Sequence, residues 1–290
     1  MAKARPARVK PGPGEAILNP SSDSLIYLYC VLAPGTPAEG MLKERRVSGI
    51  EAGEPLYAVD AGELLGAVSR VPSAVFDEEP LNELVGDLSR LTPYALRHEE
   101  AIRALFDAAP AVVPMSFGAV YREEAGVLAF LRTEKERLSG LLSDLRGKQE
   151  WGVKVFAEAG PAAAAAEAAS AALRAVDDEL GAAAPGRAYL LQRKRAELLA
   201  SEVRSFVAEA LERVIDELVP ESTDARLDDV PAGQQGPAEL VLKAAFLVNE
   251  DRAERFQERT VQLIDRLAPI GLSMEVNGPW APYSFTGVRT

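Results

Sequence analysis

The run Leu-Ile-Tyr-Leu-Tyr-Cys-Val-Leu, residues 25–32, constrains the fold more than any other stretch. It carries no charge, does not alternate apolar with polar side chains, and is rich in β-formers. Such a run predicts a strand buried on both faces, so neighbouring elements must cover it on each side. Residues 33–53 then hold glycines, prolines and a short charged piece, Lys-Glu-Arg-Arg, which leaves no room for a long helix. Residues 54–72 read as two short strands joined at Asp60-Ala61-Gly62. A short helix is expected from Asp77 to Arg90. A second one opens with Thr92 as N-cap and Pro93 at the first helical position, and runs to about Ala109. Its stripe is Tyr94, His98, Ala101, Ile102, Leu105 and Phe106.

Residues 111–121 read as a strand interrupted by Pro114, and 123–145 as one helix. GKQEWGVKVF, 147–156, returns to a strand. An alanine-rich helix over 162–180 and a long helix over 187–218 are separated by a short break, which predicts an antiparallel helical hairpin. Strands follow at 224–230 and 239–249 around a Gly/Pro-rich turn. A helix at 250–268 and a last strand at 270–278 complete the order. The second half therefore reads β-α-β-β-α-β, and the first half reads the same with its first helix lost. The expected fold is α+β: two ferredoxin-like domains with added helices. The expected divisions are a disordered arm at 1–23, one domain at 24–147, a second at 148–278 and a C-terminal tail at 279–290.

The totals exclude several functions. Forty-four acidic against 32 basic side chains give a net charge of −12. Binders of nucleic acid without sequence preference need a basic surface, and anionic membranes attract one, so neither partner is expected. The arm's first ten residues are basic, but no apolar core follows them, so they do not read as a secretory signal. No apolar run nears the ~20 residues that cross a bilayer. The single cysteine, Cys30, rules out an internal disulfide and a cysteine-built metal site, and suits a reducing cytosol.

Catalytic patterns are missing. His98 is the one histidine, and HEEAI lacks the second histidine of a zinc-binding HExxH. Its place on an apolar helix face predicts a buried, hydrogen-bonded structural role. No GxSxG elbow or G-x-G-x-x-G is present, and GKQEWG has Leu142 where a P-loop needs glycine. The pairs Glu99-Glu100, Glu123-Glu124 and Asp228-Asp229 diverge on a helix or strand, so they read as solvated faces. Neither catalytic residues nor a cofactor nor a metal is expected.

What stands out is the end of the chain: Gly-Pro-Trp-Ala-Pro-Tyr-Ser-Phe, 278–285. Prolines hold such a segment extended, and aromatic side chains need a surface to receive them. Three stretches together resemble the gas vesicle proteins of the GvpL/GvpF type. They are YLYCVL, then the block from the His98 helix through AVVPMSFGAVY to GKQEWGVKVF, and GPWAPYSF itself. The similarity spans roughly residues 24–285, and one departure is Ala281, where the family more often has a second proline. The resemblance implies a non-enzymatic cytoplasmic protein, needed to assemble gas vesicles, that contacts the hydrophobic major shell protein and other accessory proteins. Self-association is compatible with it. It also implies that the tail lies back across the body as a strap between domains, with Trp280, Pro282, Tyr283 and Phe285 packed against it; a peptide that docks on a partner is the other reading. Trp151 is expected to anchor packing where the domains meet. The alternative function is a ferredoxin-like small-molecule enzyme of oxygenase or isomerase type, which would need a convergent polar pocket.

Overall fold

The computed structural model describes residues 24–230 and 238–287. The arm at 1–23 and most of the Gly/Pro-rich turn, 231–237, lie outside the described residues. The first half opens with β1 (Ser24–Leu32), α1 (Pro37–Lys43), β2 (Tyr57–Asp60) and β3 (Leu65–Pro72). It continues through α2 (Ser73–Phe76), α3 (Glu78–Gly86), α4 (Leu88–Phe106), β4 (Val112–Pro114) and β5 (Val120–Tyr121). It closes with α5 (Glu124–Thr133) and α6 (Lys135–Asp144). The strands form an antiparallel sheet of order β2-β3-β1-β4, with β5 beside the other end of β1.

The central strand is buried on both faces, as its composition requires. Leu25, Tyr27, Tyr29 and Leu32 meet Leu42 of α1, Phe76 of α2 and Ile102 and Leu105 of α4. Ile26, Leu28 and Val31 meet Val127 and Leu131 of α5 and Leu138 and Leu142 of α6. A bulge between Leu28 and Cys30 resets the alternation midway, so Tyr29 and Cys30 both face the first of these cores.

The second half runs β6 (Lys148–Glu158), α7 (Ala159–Ala169), α8 (Ala171–Gly181), α9 (Pro185–Leu218) and β7 (Asp224–Leu227). Then come β8 (Ala238–Asn249), α10 (Ala253–Leu267) and β9 (Leu272–Trp280). Its antiparallel sheet has the order β7-β8-β6-β9, which repeats that of the first sheet strand for strand. α9 and α10 cover one face, where Val153, Val155, Phe246 and Val248 meet Val214, Leu218, Phe256 and Leu263. α7 and α8 pack on the N-terminal half of α9, and Arg195 ties all three by pairing with Glu167 and Asp177. Leu247 of β8 leaves its own sheet's core and buries itself in the α5–α6 side of the first.

Several boundaries differ from the sequence reading, each for a local reason. The first crossover keeps a helix: Thr36 caps α1 by accepting the Glu39 N–H, and Pro37 occupies the first turn. α4 begins five residues before Pro93, because Asp87 Oδ1 accepts the Ser89 and Arg90 N–H groups at 3.0 and 3.3 Å. The Thr92 hydroxyl instead donates to the Leu88 carbonyl, and Pro93 sits inside the helix. The 111–121 strand is two strands on β1, separated after Pro114. The 123–145 helix breaks at Glu134, whose φ and ψ are −92° and 9°. The alanine-rich helix divides at Ser170, whose Oγ accepts the Leu173 N–H and starts α8. The last strand does not stop at 278 but runs on through Pro279 and Trp280.

Candidate functional site

The C-terminal segment is received where the two halves meet. Gly278 makes the approach: its φ is +132°, and a Cβ there would lie 2.8 Å from the Glu150 carbonyl oxygen and against the Trp151 ring. No other residue fits that backbone and that space. Beyond Trp280 the chain crosses to the first half. Ala281 and Pro282 are buried, and Ala281 joins the core between β1 and α4. Half-buried Tyr283 packs on the same core, and half-buried Phe285 on the α5–α6 side, with the Arg226 guanidinium 5.8 Å from its ring centre.

The polar contacts come from both halves. From β6, Glu150 accepts the Ser284 N–H at 2.8 Å and the Ser284 hydroxyl at 2.7 Å, one on each carboxylate oxygen. From α4, Arg103 donates to the Pro279 carbonyl at 2.7 Å. From α6, Arg137 donates to the Thr286 carbonyl at 3.2 Å. The Tyr283 hydroxyl lies 3.4 Å from His98 Nε2 and is hydrogen-bonded to Glu99. Burial raises the Glu150 and Glu99 carboxyls above their usual range, against the lowering effect of the tail's hydrogen bonds.

The tail residues singled out from sequence are placed unequally. Tyr283, Pro282 and Phe285 face the body, whereas Trp280 is 39% exposed and its indole N–H donates to Asn277 Oδ1 at 3.0 Å. Trp151 is 4% exposed, but it lies inside the core of the second sheet, against Phe256 at 5.9 Å between ring centres. The reason is strand alternation: Trp151, Val153 and Val155 point at α9 and α10, while Glu150 points at the tail. Sequence reasoning missed Glu150, Ser284, Arg103 and Arg137.

His98 is 2% exposed and packs among Tyr27, Tyr29 and Phe117. Tyr27 accepts the Gly118 N–H at 3.0 Å, its hydroxyl lies 3.0 Å from His98 Nδ1, and His98 Nε2 lies on the side of Tyr283. Burial pushes the imidazole pKa down to about 4. His98 is therefore neutral in the fold and takes up a proton more readily unfolded. Its stabilising contribution is fully present above the unfolded value of about 6.5 and is lost as pH falls through the folded value. We expect a loss of up to ~3 kcal/mol over that window. Glu99 and Glu150 act in the opposite sense, since burial stability tied to their protonated forms is lost as pH rises. Urea unfolding between pH 7.5 and pH 4 should show a steeper acid loss in the wild type than in His98→Gln. Parallel curves would contradict this account. Among the described residues, no three or more histidine, cysteine or acidic side chains are grouped to hold a metal ion.

The family model described as "Gas vesicle synthesis protein GvpL/GvpF" matches residues 25–287. The chain belongs to the GvpL/GvpF family. Gas vesicle protein L of Streptomyces sp. (strain CB03234) is 34% identical over 279 residues, covering 92% of this chain and 95% of that one. Gas vesicle protein L1 of Halobacterium salinarum is 24% identical, covering 89% of each chain. The crystal structure of GvpF from Anabaena sp. PCC7120 superposes with a TM-score of 0.66 at 19% identity, covering 92% of this chain and 100% of that one. GvpF from Microcystis aeruginosa gives 0.63 at 18% identity. At such identities the GvpF structures speak to the fold alone. The GvpL/GvpF match gives the chain a gas vesicle role. Among the described residues no helix is long and apolar enough to cross a membrane.

Proposed function

We propose that this protein is a non-enzymatic assembly factor or minor structural component of gas vesicles, working in the cytoplasm. On this reading it binds the hydrophobic major shell protein and other gas vesicle proteins while shells are built. The observation that carries the reading is that the family similarity spans residues 25–287, both halves and the tail together. We further read each half, 24–147 and 148–278, as a ferredoxin-like domain. The repeated order β2-β3-β1-β4 and β7-β8-β6-β9, antiparallel throughout, supports that assignment. The tail, 279–290, is then the strap that fixes one domain against the other. Its contacts with α4 and α6 on one side and β6 on the other support this. Capture of the shell protein by the tagged full-length chain, from cells making vesicles, tests the proposal.

A further inference from the structure

The long helix α9 outruns its cover. At 34 residues it is about 51 Å long, whereas α10 has 15 residues and spans about 22 Å. α7 and α8 take its N-terminal half, and α10 takes its C-terminal end. Where α9 and α10 run side by side a groove of ≈ 220 Å³ stays open, floored by Phe206, Ala210, Leu263, Leu267 and Ile270. Phe206 and Ile270 are only half-buried.

The rim of the groove is positively biased. Arg213, Arg266 and Glu217 line it, and Glu217 pairs with both Arg266, at 2.5 Å, and Arg259, at 3.5 Å. Arg213, one helical turn back on α9, also acts electrostatically on Glu217, so one carboxylate serves three guanidiniums. Arg213, exposed on α9, has its described hydrogen bond with the Glu209 carbonyl, at 3.1 Å. A cationic rim on a chain of net charge −12 selects for an anionic partner. The shape, a trough between two helices with an apolar floor, suits a third helix laid along it.

We propose that the α9–α10 groove is the docking site for an amphipathic helix of the shell protein named above, one carrying a carboxylate beside its apolar stripe. The stripe fills the space over Ala210 and Leu267, and the carboxylate pairs with Arg213. This rests on the assembly function proposed above, of which it supplies the contact surface.

Two measurements on the full-length protein separate the groove from that function. The first uses a labelled 18-residue helical peptide with leucines at i, i+3, i+4 and i+7 and flanking glutamates, and the same peptide with lysines for glutamates. The glutamate peptide should bind at least fivefold more tightly, and Phe206→Asp and Arg213→Glu should each weaken it at least fivefold. Arg213→Lys, which keeps the charge, should weaken it less. Thermal unfolding checks that the variants fold, and exposed Arg213 serves as the site least able to disturb the core. Equal binding of the two peptides, or binding indifferent to both substitutions, overturns the groove. The second is capture of the shell protein by the same variants. Capture by wild type and variants alike leaves the assembly function standing and also overturns the groove, whereas no capture even by wild type counts against the function itself.

Discussion

A chain truncated after Trp280 should melt roughly 5 °C below the full-length protein, the shift expected when a chain of this size loses about 3 kcal/mol. The truncation removes the donors to both oxygens of Glu150 and the acceptor used by Arg137. Hydrogen bonds to charged groups contribute about 1.5–3 kcal/mol each, and a buried carboxylate left without donors costs more than the bonds themselves. Ordering the tail costs about 1–2 kcal/mol per residue, which offsets much of that gain and leaves the net loss near about 3 kcal/mol. Ala281, Tyr283 and Phe285 would also uncover apolar surface on the first half, so aggregation should accompany the loss. Removing residues 279–290 also trims the end of β9 and should cost more. Ser284→Ala should reproduce part of the effect without exposing core. An unchanged melting temperature with lost partner binding would reject the strap and favour a tail that docks elsewhere.

Trp151→Ala should lower stability by about 3–5 kcal/mol, the usual cost of deleting a large buried aromatic. The indole fills space between β6 and Phe256 in the second sheet's core, and backbone at Gly278 closes over it. Among the described residues its buried ring N–H has no hydrogen-bond partner. Trp151→Phe removes that unpaired donor while keeping most of the ring volume, so it should cost markedly less than Trp151→Ala, which leaves a cavity. Equilibrium denaturation of both variants measures this. A loss below about 1 kcal/mol for the alanine variant would mean the indole is not a core residue.

The strands were largely legible because sheets write their burial into composition. LIYLYCVL announced a strand covered on both faces, and Asp60-Ala61-Gly62 announced a hairpin whose Gly62 N–H donates to Asp60 Oδ1. Helix boundaries were less so, because caps compete. Asp87 and Thr92 both look like N-caps, and only the neighbouring backbone decides between them. Glu134 and Ser170 interrupt periodic stretches without a glycine or proline to mark the break. The tail drew attention through its aromatics, yet its polar fastening lies in Glu150, Ser284, Arg103 and Arg137. Those residue types are common on surfaces, and Ser284 and Glu150 stand 134 positions apart in the chain. Nothing local in the sequence joins them. Trp280 was conspicuous for its type, but position along β9 leaves it part in solvent.

The most direct test is affinity capture of the tagged full-length chain from cells making gas vesicles, with the bound proteins identified by mass spectrometry. We predict that the major shell protein is enriched at least tenfold over a tag-only control, together with other gas vesicle proteins. A folded chain that captures no shell protein above the control would contradict the assembly function.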